Sequence, residues 1–264
     1  MVLPLLMLAS GTLASLYDMG SGPVAAAFSG ALAAFAAWAL TRELAPDYSG
    51  AAFVALALAW IANVALGATS VMLLFVALLL VRLVNRSTGP RWRLLDTLGV
   101  LGFCIWVAVS ARQPLILVVT AGAFALDATL NEPLRRHYFA AAACVPVFIW
   151  ILLGDAGLIA DGLTAWDWAL NGVFAGGIIL MVALSPNPVS YCDTSPDRLD
   201  RMRVNAGLII GWLAAVQALL TNGRSAWLET PIWACIIAVL VSFADRIANN
   251  RPGNMRVGQG PGPR

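Results

Sequence analysis

The sequence predicts an all-α fold, a polytopic transmembrane helical bundle of about ten short spans, and three observations lead there. Hydrophobic residues make up 60% of the 264 and charged residues 11%, against roughly 45–50% and about 25% in soluble domains. Mean hydropathy is +0.82. The apolar runs reach about 16 to 20 residues with little periodicity, which is how helices that cross a bilayer read.

Ten such runs fall at about residues 2–17, 23–41, 49–66, 68–85, 94–110, 114–130, 138–154, 167–186, 204–221 and 230–248. At about 18 residues each and roughly 1.5 Å per residue they are about 27 Å long, just enough for the hydrocarbon core. Connections as short as "GATS" (67–70) and "ARQP" (111–114) predict tight hairpins between antiparallel neighbours. The first run, "MVLPLLMLASGTLAS", is short enough for a signal-peptide core, yet no arginine or lysine precedes it, so an uncleaved first helix is expected. Residues 1–248 are expected to form one transmembrane domain. The glycine- and proline-rich stretch 249–264 is expected to be a disordered tail near anionic headgroups.

Orientation follows the basic residues of short loops. All sixteen are arginine. The stretch "VRLVNRSTGPRWRLLD" carries Arg82, Arg86, Arg91 and Arg93 between two apolar runs. With that loop in the cytoplasm, Arg42, Arg135, Arg136, Arg198, Arg201, Arg203, Arg246 and the tail arginines are also inside, and only Arg112 and Arg224 fall outside. The expected location is therefore the inner membrane, multi-pass, with both termini cytoplasmic. Arg82, Arg86, Arg91, Arg93, Arg198, Arg201 and Arg203 are candidate contacts to anionic headgroups or phosphate. Trp166, Trp168, Trp227 and Trp233 sit at predicted outer helix starts, where indole rings form interfacial belts.

The absence of lysine excludes a retinal Schiff base, a PLP site and a P-loop. A single histidine, His137, cannot supply a bis-imidazole haem or a multi-histidine metal site. Cys104, Cys144, Cys192 and Cys235 are scattered, with no C-x-x-C, and read as small buried thiols. No cofactor is expected. The basic residues are spread over every inner loop, so no nucleic-acid role is expected either.

Gly172-x-x-x-Gly176 and Gly207-x-x-x-Gly211 flatten one face of their helices, and the runs 167–186 and 204–221 are expected to pack closely through them. No acid falls at the centre of a run. Asp96 and Asp127 lie within one or two turns of the cytoplasmic face, where they can line a cavity or pair with Arg93 and with Arg135 or Arg136. Asn63, Thr120, Asn171 and Gln217 are the central polar groups, either a substrate path or hydrogen bonds between helices.

The loop "SYCDTSPDRLDRMR" (190–203) places Asp193, Asp197 and Asp200 among Arg198, Arg201 and Arg203. Spaced carboxylates can hold Mg²⁺ on a diphosphate whose oxygens the arginines take, which makes Asp193 and Asp197 candidate metal ligands. Over this loop alone the D-x-x-x-D pattern resembles the intramembrane prenyltransferases, which implies metal-dependent prenyl-diphosphate chemistry. Their second aspartate-rich loop has as its best counterpart Glu43-Leu-Ala-Pro-Asp47, which lacks the asparagine and the repeated aspartates. The other reading of Ser195-Pro196-Asp197 is a helix start. In helix count and loop length the chain is similar to the drug and metabolite transporter architecture, though its two halves show no internal repeat.

The expected function is a carrier of a small molecule or lipid, or its permease-like component. The alternative is a non-catalytic subunit that assembles a larger membrane complex with protein partners in the bilayer, and a Mg-dependent lipid or prenyl-diphosphate enzyme comes third.

Overall fold

The computed structural model describes residues 23–66, 71–87, 92–154, 157–192, 198–229 and 231–248. The expected first span, Arg91, Asp193, Asp197 and the tail lie outside the described residues. Among those described the chain is all-helical: α1 (Pro23–Leu44), α2 (Ser49–Leu66), α3 (Val71–Asn85), α4 (Leu94–Ala111), α5 (Leu115–Thr129), α6 (His137–Leu153), α7 (Ala165–Leu184), α8 (Arg201–Asn222) and α9 (Ile232–Ala248). A 3-10 turn at Gly223–Ser225 and one helical turn at Ala226–Glu229 join α8 to α9.

The helices run alternately up and down. Contacts between their ends show it: α1, α3, α5, α7 and α9 finish where α2, α4, α6 and α8 begin. Of the arginines in the described residues, Arg112 and Arg224 lie at one end of the bundle and all others at the opposite, arginine-bearing end.

Along α1 and α2, Ala33, Ala37, Ala51, Ala55 and Ala59 are buried, and alanine at four-residue spacing lets two backbones approach closely. Elsewhere the core holds large groups, with Trp233, Phe124, Leu74 and Leu208 buried. Other large apolar groups face outward, with Phe53 62%, Trp150 64%, Val173 70% and Phe139 79% exposed. α3, α8 and α9 contribute most heavily to the core, while α6 and α7 contribute only a few residues each, among them Ala140, Cys144, Ile178 and Met181.

Among the described residues three helical stretches are long and apolar enough to cross a membrane: Leu94–Ala111, Ala165–Leu184 and Arg201–Ser225. The expected number was about ten. Four shorter apolar stretches lie in α2, α3, α5 and α6. The difference is physical: hydropathy counts apolar residues, including those in turns, whereas spanning depends on helix length. The run 114–130, for example, contains a helix of only 15 residues, Leu115–Thr129, roughly 22 Å at about 1.5 Å per residue.

The glycine motifs do not join α7 to α8. At Gly207 an added Cβ would overlap the Asn85 side-chain amide, and at Gly211 it would meet Leu44 Cδ2 at 2.5 Å. That pair therefore seats α8 against α3 and α1. Gly172 and Gly176 have nothing within 4 Å and face outward. Trp233 is likewise not a belt residue, being 1% exposed and stacked 4.3 Å from Trp227. Trp166 and Trp168 are exposed.

Candidate functional site

Asp127, in the last turn of α5, is fully buried. Its Oδ1 accepts from Arg86 Nε at 2.8 Å and Arg203 Nη1 at 2.9 Å, and its Oδ2 accepts from Arg86 Nη2 at 2.7 Å. His137 Nδ1 stands 2.6 Å from the same Oδ2. Four donors saturate the lone pairs of a carboxylate. The sequence expectation paired Asp127 with Arg135 or Arg136. The structure corrects it, because Arg136 turns to the Trp92 carbonyl.

Local backbone geometry delivers these groups. α3 ends at Asn85, and Arg86 follows in the left-handed region at φ 51°, which swings its guanidinium toward α5. A non-glycine residue there costs about 1–2 kcal/mol, which the paired charge offsets. Glu132, in the α5–α6 connection, is left-handed as well at φ 55°, and its carbonyl accepts from Arg86 Nη1 at 2.9 Å. Arg203, in the first turn of α8, adds bonds to the carbonyls of Val84 at 2.8 Å and Asn131. Asp200 caps α8 through Met202 N at 2.7 Å.

The chain of polar contacts continues to α4, where Thr97 Oγ1 lies 3.0 Å from His137 Nε2 and 3.1 Å from the Arg93 carbonyl. His137 thus stands between the Asp127 carboxylate and the Thr97 hydroxyl, with one ring nitrogen facing each. Phe124 packs edge-on against the imidazole, centroids 5.1 Å apart. One cluster thus ties α3, α4, α5, α6 and α8 together at the arginine-bearing end. Seven residues further into the bundle on α4, α5 and α6 lie Cys104, Thr120 and Cys144, all buried.

The central polar residues named from sequence do not converge on one path. Asn63 accepts from Ser29 at 3.4 Å, between α1 and α2. Thr120 donates back to the Ile116 carbonyl at 2.8 Å. Gln217 donates to Gln113 at 3.2 Å, and Gln113 donates to Asn222 at 2.7 Å, closing the opposite end with neutral amides. Asn171 stands apart on α7, its Oδ1 buried without a hydrogen-bond partner. Asp96 is exposed and takes the Arg93 backbone N–H at 2.8 Å rather than its guanidinium.

Arg82 faces Glu43 at 3.8 Å, while Arg198 lies 5.9 Å over the Tyr191 ring. Arg93 is exposed. Asp47 accepts from Val189 N at 3.1 Å and from Ser190 N and Oγ at 3.0 and 2.7 Å, pinning the loop after α7 to the α1–α2 turn. Glu43 receives the Ser87 hydroxyl. The two loops compared with prenyltransferase motifs are thus neighbours. Among the described residues no group of three or more His, Cys, Asp or Glu is placed to hold a metal.

Sequence reasoning missed His137 as a partner of Asp127. The signal was present, since the last turn of one helix and the first turn of the next must be adjacent across a short connection. Arg86 and Arg203, expected to contact anionic headgroups or phosphate, both turn to Asp127 instead. Comparison of the chain with protein-family models, curated proteins and solved structures finds no match. What fold and site define is a class, an all-helical bundle with three span-capable helices and a buried ion cluster closing one end.

Proposed function

We propose that the chain is a multi-pass inner-membrane carrier of a small molecule or lipid, with its arginine-bearing end and both termini in the cytoplasm. In this reading α1 to α9 and the run 2–17 give ten passes. The exposed Phe53, Phe139, Trp150 and Val173 and the close alanine contacts of α1 and α2 support it, since lipid accepts outward-facing apolar groups and favours close helix packing. The arginines at one end match the positive-inside rule.

The single observation that carries the carrier reading is the burial of Asp127 between Arg86 and Arg203. A buried ion pair gains little over apolar packing but costs about 3–5 kcal/mol to break by removing one member. Its value in a carrier is that it breaks as a unit: helices held by charge in one state can part in another, with water replacing each contact. Cys104, Thr120 and Cys144 would then line the first layer uncovered.

A second reading, a subunit of a larger membrane complex, is favoured by α7. Its outward face carries Gly172, Gly176, Val173 and Ile179, with open space at both glycines. Mild-detergent pull-down of the tagged protein from its native membrane, with mass spectrometry of what co-migrates, separates the two. A lone monomer or homodimer supports the carrier, and a stoichiometric partner overturns it in favour of the subunit.

A further inference from the structure

At the arginine-bearing end a small open recess lies between α1, α7, α8 and α9. Its floor is apolar, made by Leu44, Met181 and Leu208. Two guanidiniums line it, Arg201 from α8 and Arg246 from α9, along with the Asn205 amide and Tyr48. Arg246 Nη1 donates to the Tyr48 hydroxyl at 2.9 Å, with its guanidinium 5.6 Å over that ring. Among the described residues Arg201 makes only long contacts, 3.4 Å from Nη2 to the carbonyls of Val182 and Ala183. Each guanidinium carries five N–H donors, so these contacts leave most of them for a ligand.

Among the described residues Asp47 is the one carboxylate that lines the recess, and it is already saturated by Val189 and Ser190, which leaves the pair of arginines in excess there. Two arginines beside an amide and a phenol are a donor set for a tetrahedral oxyanion, because the planar fork of guanidinium matches two phosphate oxygens. The surroundings choose between a free anion and a lipid. Leu184 and Met202, next in sequence to the lining residues Ser185 and Arg201, are 58% and 61% exposed. An apolar floor and apolar flanks are of no use to inorganic phosphate, and they suit acyl chains.

We infer that this recess is a specific site for the phosphate headgroup of an anionic phospholipid, held by Arg201 and Arg246 with its chains against the apolar flanks. The inference rests on the membrane reading above, though not on carrier activity. It narrows the sequence expectation of broad headgroup contact to Arg201 and adds Arg246 and Tyr48.

The test is native mass spectrometry of the full-length detergent-purified protein, with phosphatidylglycerol, phosphatidylcholine and inorganic phosphate as probes. Retention of phosphatidylglycerol over phosphatidylcholine is expected, falling on the order of tenfold in Arg201→Gln/Arg246→Gln. The exposed Arg42→Gln is expected to leave retention unchanged. Should the double variant misfold, Arg246→Gln alone is expected to show a smaller loss in the same direction. Equal retention by wild type and the folded variants overturns the site. Full displacement by excess inorganic phosphate overturns the lipid assignment. A protein that alkaline carbonate strips from the membrane overturns the membrane reading itself, whereas a carbonate-resistant protein without selective retention overturns only this site.

Discussion

Asp127 Oδ1 and Arg203 Nη1 meet at 2.9 Å although 76 positions separate them in the chain, and both groups are buried. Arg86 reaches the same carboxylate from the end of α3. Removing the carboxylate leaves two guanidiniums facing each other without compensation. Asp127→Asn is therefore expected to cost about 3–5 kcal/mol, read as a lowered unfolding midpoint in detergent. A double-mutant cycle on Asp127→Asn and Arg203→Gln checks the direct coupling, with clearly non-additive losses expected.

Thr97 binds the far nitrogen of His137 and carries no charge. Thr97→Val should cost about 1–3 kcal/mol, because a buried ring nitrogen of His137 loses its hydrogen-bond partner, and so less than Asp127→Asn in the same unfolding assay.

Gly207 and Gly172 share a spacing motif and differ in what they face. Gly207→Ala drives a methyl into the Asn85 amide, which already donates to the Glu43 carbonyl at 2.6 Å. Overpacking of this kind costs about 1–3 kcal/mol. Gly172→Ala meets open space and should stay within about 0.5 kcal/mol of wild type. Thermal unfolding of the two variants side by side checks the contrast.

Asp47 holds Val189 and Ser190. Asp47→Ala releases the loop after α7, and protease added to inside-out vesicles should then cut within 185–192 several times faster than in wild type. The same vesicles test orientation: an impermeant thiol reagent should modify the partly exposed Cys192 from the cytoplasmic face alone.

The helical class was legible because long apolar runs leave few other folds, and the arginine asymmetry was legible because it is a property of loops. Span number was less so, since the run 114–130 includes turn residues that the 15-residue helix α5 does not use. The ion cluster was hidden for a different reason. Arg135 and Arg136 are nearer to Asp127 in sequence than Arg86 and Arg203, and the left-handed turn at Arg86 together with the packing of the start of α8 reverses that order in space. Nor does four-residue glycine spacing say which neighbour a helix face meets, so Gly207 and Gly172 read alike.

The central claim is that the Asp127 cluster is a closure that opens toward the cytoplasm. Cys104 and Cys144 lie behind it and are buried. In sealed inside-out vesicles, Cys192→Ser protein should take up a small impermeant thiol reagent slowly at Cys104 or Cys144, on the order of tenfold faster with Arg86→Gln, and not at all from the other face. No modification of either thiol, in the native cluster or the broken one, would contradict the account and leave the cluster as a fixed brace.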